Sequence, residues 1–247
     1  MENKISEAAR LIIESKYLSA LTGAGISVES SIPPFRGENG LWSKYDPGLF
    51  EISYFLSNPE ESWELMKKLF YETFKNARPN EAHFMLARLE HKGLLKVLIT
   101  QNIDGLHHSA GSRHVVEYHG STRNLTCTHC SEKRESSEDT IAVSLPKCSC
   151  GGVLKPDIIF FGEEIPISAI LGVQDAIETT DVMLVVGTTG EVFPASLIPI
   201  EAKRRGAIII EVNTQPSSFT YDTTDIFLQG LATKILHVLE EEIQKLL

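Results

Sequence analysis

The stretch Leu18-Ser19-Ala20-Leu21-Thr22-Gly23-Ala24-Gly25-Ile26-Ser27 decides the fold. Residues 18–21 read as a short buried strand, and the chain runs from it directly into a glycine turn. At the carboxyl edge of a parallel sheet, such a turn lets the backbone approach a pyrophosphate, whose charge the exposed N–H groups bind. Read alone, the turn leaves two meanings open, a nucleotide site and a plain loop. Val28 stands where the third glycine of GxGxxG would fall. The acidic residue expected about 20 positions later at a strand end is missing too, since Asp46 sits in a proline-rich stretch. A hydride-transferring dehydrogenase fits this pattern poorly.

Working outward, residues 94–99, 182–186 and 207–212 repeat the character of the first strand. Each run is short, rich in leucine and β-branched residues, and apolar on both faces, as parallel strands covered on each side require. Helical patterns lie around them: residues 4–15, a segment capped by Asn80 with Phe84, Leu86, Ala87 and Leu89 on its apolar face and a stop at Gly93, then residues 194–205 and 231–247. Strands alternating with helices predict an α/β fold with a doubly wound, mostly parallel, Rossmann-like sheet. Two segments interrupt it. Residues 28–75 hold Pro33, Pro34, Pro47 and Pro59 among aromatics, and residues 121–157 are polar and contain every cysteine. The expected division is a Rossmann-like domain of residues 1–27, 76–120 and 158–247. Residues 28–75 and 121–157 then form a smaller inserted lobe, the latter as a zinc module.

The chain has 247 residues, 42% of them hydrophobic and 23% charged, an ordinary balance for a globular protein. The start of the chain is acidic and helix-patterned, unlike a signal peptide, and no apolar run is long enough to span a bilayer, so the expected location is the cytoplasm with no membrane contact. A net charge of −10 disfavours nonspecific nucleic-acid binding and favours basic protein segments.

Cys127 and Cys130 form a CxxC knuckle, and Cys148 and Cys150 a CxC pair followed by Gly151 and Gly152. Four thiolates can enclose a tetrahedral Zn²⁺ and leave no position for water, which makes the site structural. Redox or idle thiols are the plain alternative, and His129, inside the knuckle, is expected to face solvent. Thr100-Gln101-Asn102-Ile103-Asp104 follows a buried strand at the sheet edge that carries the glycine turn. Its amides and carboxylate suit a ribose or a carboxamide, or else they cap the next helix. His119-Gly120 ends the short strand 115–118, where a histidine is either a general base or a satisfied polar residue.

In this order the motifs resemble the sirtuin family over essentially the whole chain. Gly23-Ala24-Gly25-Ile26-Ser27 matches GAGxS, Ile32-Pro33-Pro34-Phe35-Arg36-Gly37 resembles IPxFRG, Thr100 to Asp104 matches TQNxD, and His119-Gly120 matches the HG pair. The cysteine cluster follows, then Phe161-Gly162-Glu163, Gly187-Thr188-Thr189 and Val212-Asn213. The resemblance implies an NAD-dependent protein lysine deacylase that consumes NAD⁺ as a reactant and yields nicotinamide, free lysine and O-acyl-ADP-ribose. It implies that His119 is the catalytic base and Asn102 a second catalytic residue. Asn102 and Asp104 are expected on the nicotinamide-side ribose and carboxamide, Phe35 over the reactive centre, and Arg36 on phosphate. Asn213 is expected on the adenosine ribose, and Leu231 and Ala232 beside the adenine. Gly23, Ala24, Gly25, Ser27, Val28, Gln101, Ile103, Gly187, Thr188, Thr189 and Thr214 complete the cofactor set. Ile159, Phe161 and Gly162 are expected to line the acyl-lysine channel and pair with an extended substrate. One structural zinc on Cys127, Cys130, Cys148 and Cys150 and a monomeric state are the remaining expectations.

Three positions depart from the family pattern. Ser31 replaces a glycine, Pro34 an Asp or Thr, and Gly190-Glu191 follows a turn usually continued by an apolar residue. Family members that prefer acidic acyl chains carry a Tyr-x-x-Arg pair where Met66 and Leu69 align here, so a neutral acyl group is expected. Protein ADP-ribosyl transfer, or a non-catalytic module that binds NAD or ADP-ribose, are the competing functions. A zinc-ribbon nucleic-acid binder is disfavoured by charge.

Overall fold

The computed structural model describes residues 1–35 and 40–247, the side chain of Trp42 aside. Arg36 and Gly37 therefore lie outside the described residues. Helix α1 (Glu2–Glu14) buries Ile5, Ala8, Ala9 and Ile12, one face of a helical repeat. Strand β1 (Leu18–Thr22) is buried at every residue and leads into a 3-10 helix, Ala24–Ser30. Helices α2 (Ile52–Ser57), α3 (Pro59–Met66) and α4 (Glu72–Lys75) follow, the last two joined by a π-helical turn, Lys67–Tyr71.

Helix α5 (Glu81–His91) is capped by Asn80, whose Oδ1 accepts from the Ala82 N–H at 3.0 Å. Its buried face uses Ala82, Met85, Leu86 and Leu89. Phe84 is exposed, a correction to the sequence reading: the i, i+3, i+4, i+7 repeat selects Met85 and turns Phe84 outward. Then come β2 (Leu95–Thr100), α6 (Leu106–Ser109), β3 (Val115–Glu117), β4 (Gly120–Cys127), β5 (Lys133–Glu135), α7 (Glu138–Ala142) and β6 (Leu154–Ile158). The chain closes with α8 (Ile167–Thr179), β7 (Val182–Val186), α9 (Leu197–Arg204), β8 (Ile208–Asn213), β9 (Ile226–Gln229) and α10 (Ala232–Leu246).

The large sheet is parallel throughout, in the order β3-β2-β1-β7-β8-β9. One face packs on α1, α5 and α10, the other on α8 and α9, so each central strand is apolar on both sides. The order reverses between β1 and β7. In open α/β sheets that reversal opens a crevice at the carboxyl ends of the strands, where ligands bind.

The second sheet is small and antiparallel, in the order β5-β4-β6. Phe50, Phe55, Trp63, Met66 and Phe70 from the proline-rich segment pack with Leu125, Leu154, Ile158 and Phe160 into one cluster. Trp63 Nε1 donates to the Leu154 carbonyl at 2.6 Å, tying the two segments together. Among the described residues no helix is long and apolar enough to cross a membrane.

Ser31 sits at φ 67°, ψ 23°, in the left-handed region that glycine occupies without steric cost. Its N–H closes the 3-10 helix by donating to the carbonyl of Val28 at 3.1 Å. Ser31→Gly is expected to raise stability by about 0.5–1 kcal/mol, the relief of the Cβ clash less the added freedom of the unfolded chain. An unchanged denaturant midpoint would show that the serine pays no strain.

Candidate active site

A cavity of about 940 Å³ lies over the β1/β7 reversal, between the large sheet and the smaller cluster. One part of its wall is backbone from the two glycine turns. Gly23, Ala24 and Gly25 come from the end of β1, Gly187, Thr188 and Thr189 from the end of β7, and Asn213 and Thr214 from the end of β8. The Gly25 N–H donates to the Gly187 carbonyl at 2.8 Å, and a Cβ on Gly25 would fall 2.7 Å from Gly187 Cα. The two turns are therefore in backbone contact, leaving an open cradle of the kind a pyrophosphate needs. Asn213 Nδ2 donates to the Thr188 carbonyl at 2.9 Å and locks β8 to the second turn.

The other part of the wall carries the polar side chains. Gln101, Asn102 and Ile103 leave the end of β2, and His119 leaves the end of β3. His119 Nδ1 is 3.1 Å from the Gln101 carbonyl oxygen. A carbonyl can only accept, so Nδ1 bears the proton and Nε2 keeps its lone pair. Burial lowers the His119 pKa from 6.5, with the Gln101 hydrogen bond working against it. The ring is thus a neutral base at physiological pH.

Asn102 is buried and donates through Nδ2 to the Gly23 carbonyl and to Ser27 Oγ, each at 3.2 Å. Ser27 Oγ in turn donates to Asp104 Oδ2 at 2.7 Å, while Asp104 Oδ1 accepts the Leu106 N–H at 2.9 Å. Burial raises the Asp104 pKa, offset by those two hydrogen bonds. Asn102 lines the cavity, and Asp104, just ahead of the Gly105 N-cap, accepts the first N–H of α6. Ser27 and Asp104 form a layer behind the wall, and His83 Nε2 lies 3.4 Å from Ser27 Oγ. Val28 and Phe35 line the cavity as well. Leu231 and Ala232 do not, Leu231 being exposed and Ala232, the first residue of α10, buried in the core.

Ile159, Phe161 and Gly162 line the side where β6 ends. The Ile159 N–H donates to the His119 carbonyl at 2.9 Å, and Phe161 exchanges backbone bonds with Phe50 and Ile52 at 2.9 and 3.0 Å. This strip is braced by an ion pair between the buried Lys155 and the half-buried Glu163. Lys155 Nζ donates to Glu163 Oε2 at 2.9 Å and to the carbonyls of Pro156 and Ile158 at 3.1 and 2.7 Å, and the same Oε2 accepts the Phe160 N–H at 2.8 Å. Burial pushes the Lys155 pKa down and the Glu163 carboxylate holds it up.

Sequence reasoning missed Phe50, Phe70, Ile170, Val192 and Phe193, which also line the cavity. Met66 and Leu69 are buried in the small-lobe cluster, Lys67 reaches the Val143 carbonyl, and Lys68 is exposed. Among the described residues lining the cavity there is no lysine or arginine.

Away from the cavity the four cysteine sulfurs lie within 4.8 Å of one another, with Sγ pairs at 3.5 Å (Cys127 to Cys150 and Cys130 to Cys150) and 3.7 Å (Cys130 to Cys148). A tetrahedron with Zn–S bonds of about 2.3 Å has edges of about 3.8 Å, so the donor set fits one zinc ion. His129 is exposed, beside this site and outside it.

The model of the Sir2 family matches residues 23–194. This chain belongs to the Sir2 family. Its curated Sir2 relatives include the NAD-dependent protein deacetylase 1 of Pyrobaculum aerophilum, 40% identical over 248 residues that cover 99% of this chain and 97% of that one. The NAD-dependent protein deacylase of Pyrococcus abyssi is 42% identical over 250 residues, covering 98% and 99%. A solved Sir2 homologue with bound NAD superposes with a TM-score of 0.90 at 42% identity, covering 97% of this chain and 94% of that one. A Sir2 variant bound to a deacetylated p53 peptide and 3'-O-acetyl-ADP-ribose gives a TM-score of 0.90 at 36% identity, covering 96% and 98%. This Sir2 protein has a parallel six-stranded sheet, a separate small sheet and a four-cysteine cluster.

Proposed function

We propose that this protein is an NAD-dependent protein lysine deacylase acting on neutral acyl-lysine, with His119 as its base. The observation that carries the reading is one continuous cavity joining the bare glycine turns to a neutral histidine whose Nε2 is unprotonated. NAD⁺, when bound, supplies an electrophilic ribose carbon and nicotinamide as leaving group.

The chain's own groups supply the rest. Gly23 to Gly25 and Gly187 to Thr189 receive the phosphates, and Asn213 and Thr214 the adenosine side. Asn102 keeps its Oδ1 as an acceptor for a ribose hydroxyl, because its Nδ2 protons go to Gly23 and Ser27. Ser27 and Asp104 hold Asn102 in that orientation from behind. Phe35, packed 6.4 Å from the Phe70 ring, excludes water from the reacting end. His119 Nε2 takes a ribose hydroxyl proton, and the Gln101 carbonyl stabilises the ring as it gains charge. The substrate strand pairs at Gly162, because the N–H groups of Ile159 and Phe161 are already engaged.

Two expected results follow from the walls. With no cation lining the described wall, a succinyl-lysine peptide should have a kcat/KM about 100-fold below its acetyl counterpart, since a buried unpaired carboxylate costs several kcal/mol. Equal rates on both peptides would place a cation in the channel. Lys155→Met should raise KM for the acyl peptide several-fold and leave kcat closer to wild type, with Lys155→Arg restoring part of the loss. A uniform fall in kcat with unchanged KM would make Lys155 a merely structural residue.

The deciding experiment is mass spectrometry of protein, acetyl-lysine peptide and NAD⁺. Free lysine peptide with nicotinamide and O-acetyl-ADP-ribose, formed only with NAD⁺, is the expected result. ADP-ribosylated protein in their place would make the chain a transferase, and NAD⁺ left intact would make it a binding module.

A further inference from the structure

Helix α8 changes the character of its outward face along its length. Its inner face, Ala169, Val173 and Ala176, packs against the large sheet. Toward its carboxyl end the outward residues are Gln174, Asp175 and Glu178, as a solvated helix requires. In the first turn they are Ile167, Ile170 and Leu171, and Ile167 is 75% exposed. These three share one patch, because residues three and four apart are neighbours on a helix. Phe193, just before α9, is 74% exposed. Scattered exposed apolar residues are ordinary, but a cluster beside a cleft marks an interaction surface.

The patch is continuous with the cavity. Ile170 and Phe193 line it together with His119, while Ile167 and Leu171 do not and extend the surface outward. Gly172 fixes this placement, since a Cβ there would lie 3.1 Å from Cγ2 of Val116 on β3, the strand that delivers His119. Ile167 stands about 5 Å along the helix from Ile170, which a strand rising about 3.3 Å per residue covers in one or two residues. The charged residues on this side of the cavity are Glu163 and Glu164.

We infer that this apolar rim docks the residues flanking the acyl-lysine, and that preferred substrates carry a large apolar side chain within about three positions of the modified lysine. The assignment rests on the deacylase reading. Carboxylates in the same flank are disfavoured by Glu164, since the charge of Glu163 is matched by Lys155.

The test uses acetyl-lysine peptides with glycine and serine flanks, bearing a single Phe, Leu or Asp at each of three positions on either side. Binding is read by fluorescence anisotropy and turnover by mass spectrometry with NAD⁺. At one position or more, Phe or Leu should tighten Kd and lower KM by about tenfold, the scale of one well-packed anchor, and Asp should weaken both. Ile167→Ser with Leu171→Ser should reduce that preference below about twofold while the plain peptide behaves as with wild type. Equal binding of all peptides, or a preference that survives the double variant, overturns the inference. So does a dimer seen by sedimentation that Ile167→Ser dissolves while peptide binding shows no preference. Discriminating binding without NAD-dependent turnover supports the rim and removes the deacylase reading instead.

Discussion

His119→Ala should lower kcat for NAD-dependent deacylation by about 10²–10⁴-fold, the usual contribution of a positioned general base. The fold should survive, because among the described residues the side chain makes one hydrogen bond, to the Gln101 carbonyl, worth about 1 kcal/mol net. The pH profile adds a second reading of the same group. Burial lowers the His119 pKa below 6.5, so the neutral, active form persists down to that lowered value. Wild-type activity should stay level through neutral pH and fall only as pH drops below 6.5 through it, and the variant should lack that limb. Retained turnover in the alanine variant, or the same acid limb in its residual activity, would remove His119 from the chemistry.

The second large effect belongs to the zinc site. Cys148→Ser should abolish the single bound zinc and destabilise the smaller lobe. Cys148 and Cys127 are buried in the cluster that also holds Trp63, Phe70 and Leu154, so the loss reaches that core. Structural zinc is worth about 10–16 kcal/mol in peptides with no core of their own. Here a hydrophobic cluster shares the task, and a loss of about 4 kcal/mol would lower Tm by about 8–16 °C in a chain of this size. Elemental analysis and thermal melting read both quantities. Unchanged zinc content would overturn the four-cysteine assignment.

Much of the frame was legible because buried parallel strands leave an unmistakable pattern. Residues 182–186 carry the bounds of β7 with no slip, and Asn80 caps α5 as read. Strand order was not legible, since it depends on packing between distant segments. Strand β9 escaped because it is four residues long and follows a polar loop. Helix α8 escaped because Ile167, Ile170 and Leu171 blur the helical contrast between its faces. The candidate site divides the same way. Glycine turns, strand-end amides and cysteine spacing announce themselves locally, and only the family resemblance singled out His119. Phe50 and Phe70 reach the cavity from the proline-rich segment and Phe193 from the loop before α9, and nothing in their local sequence says so. Nor does local sequence reveal that Ser27 and Asp104 stand behind Asn102.

The contact between Gly25 and Gly187 also limits how this chain can evolve. A methyl group on Gly25 meets the backbone of Gly187, and one on Gly187 would lie 2.7 Å from the carbonyl carbon of Gly25. Elsewhere in a core, a larger residue can be accommodated by shrinking its neighbour. Here each partner is already the smallest residue there is. No second mutation at one turn can rescue a first at the other, so both positions must stay glycine in any lineage that keeps this cradle.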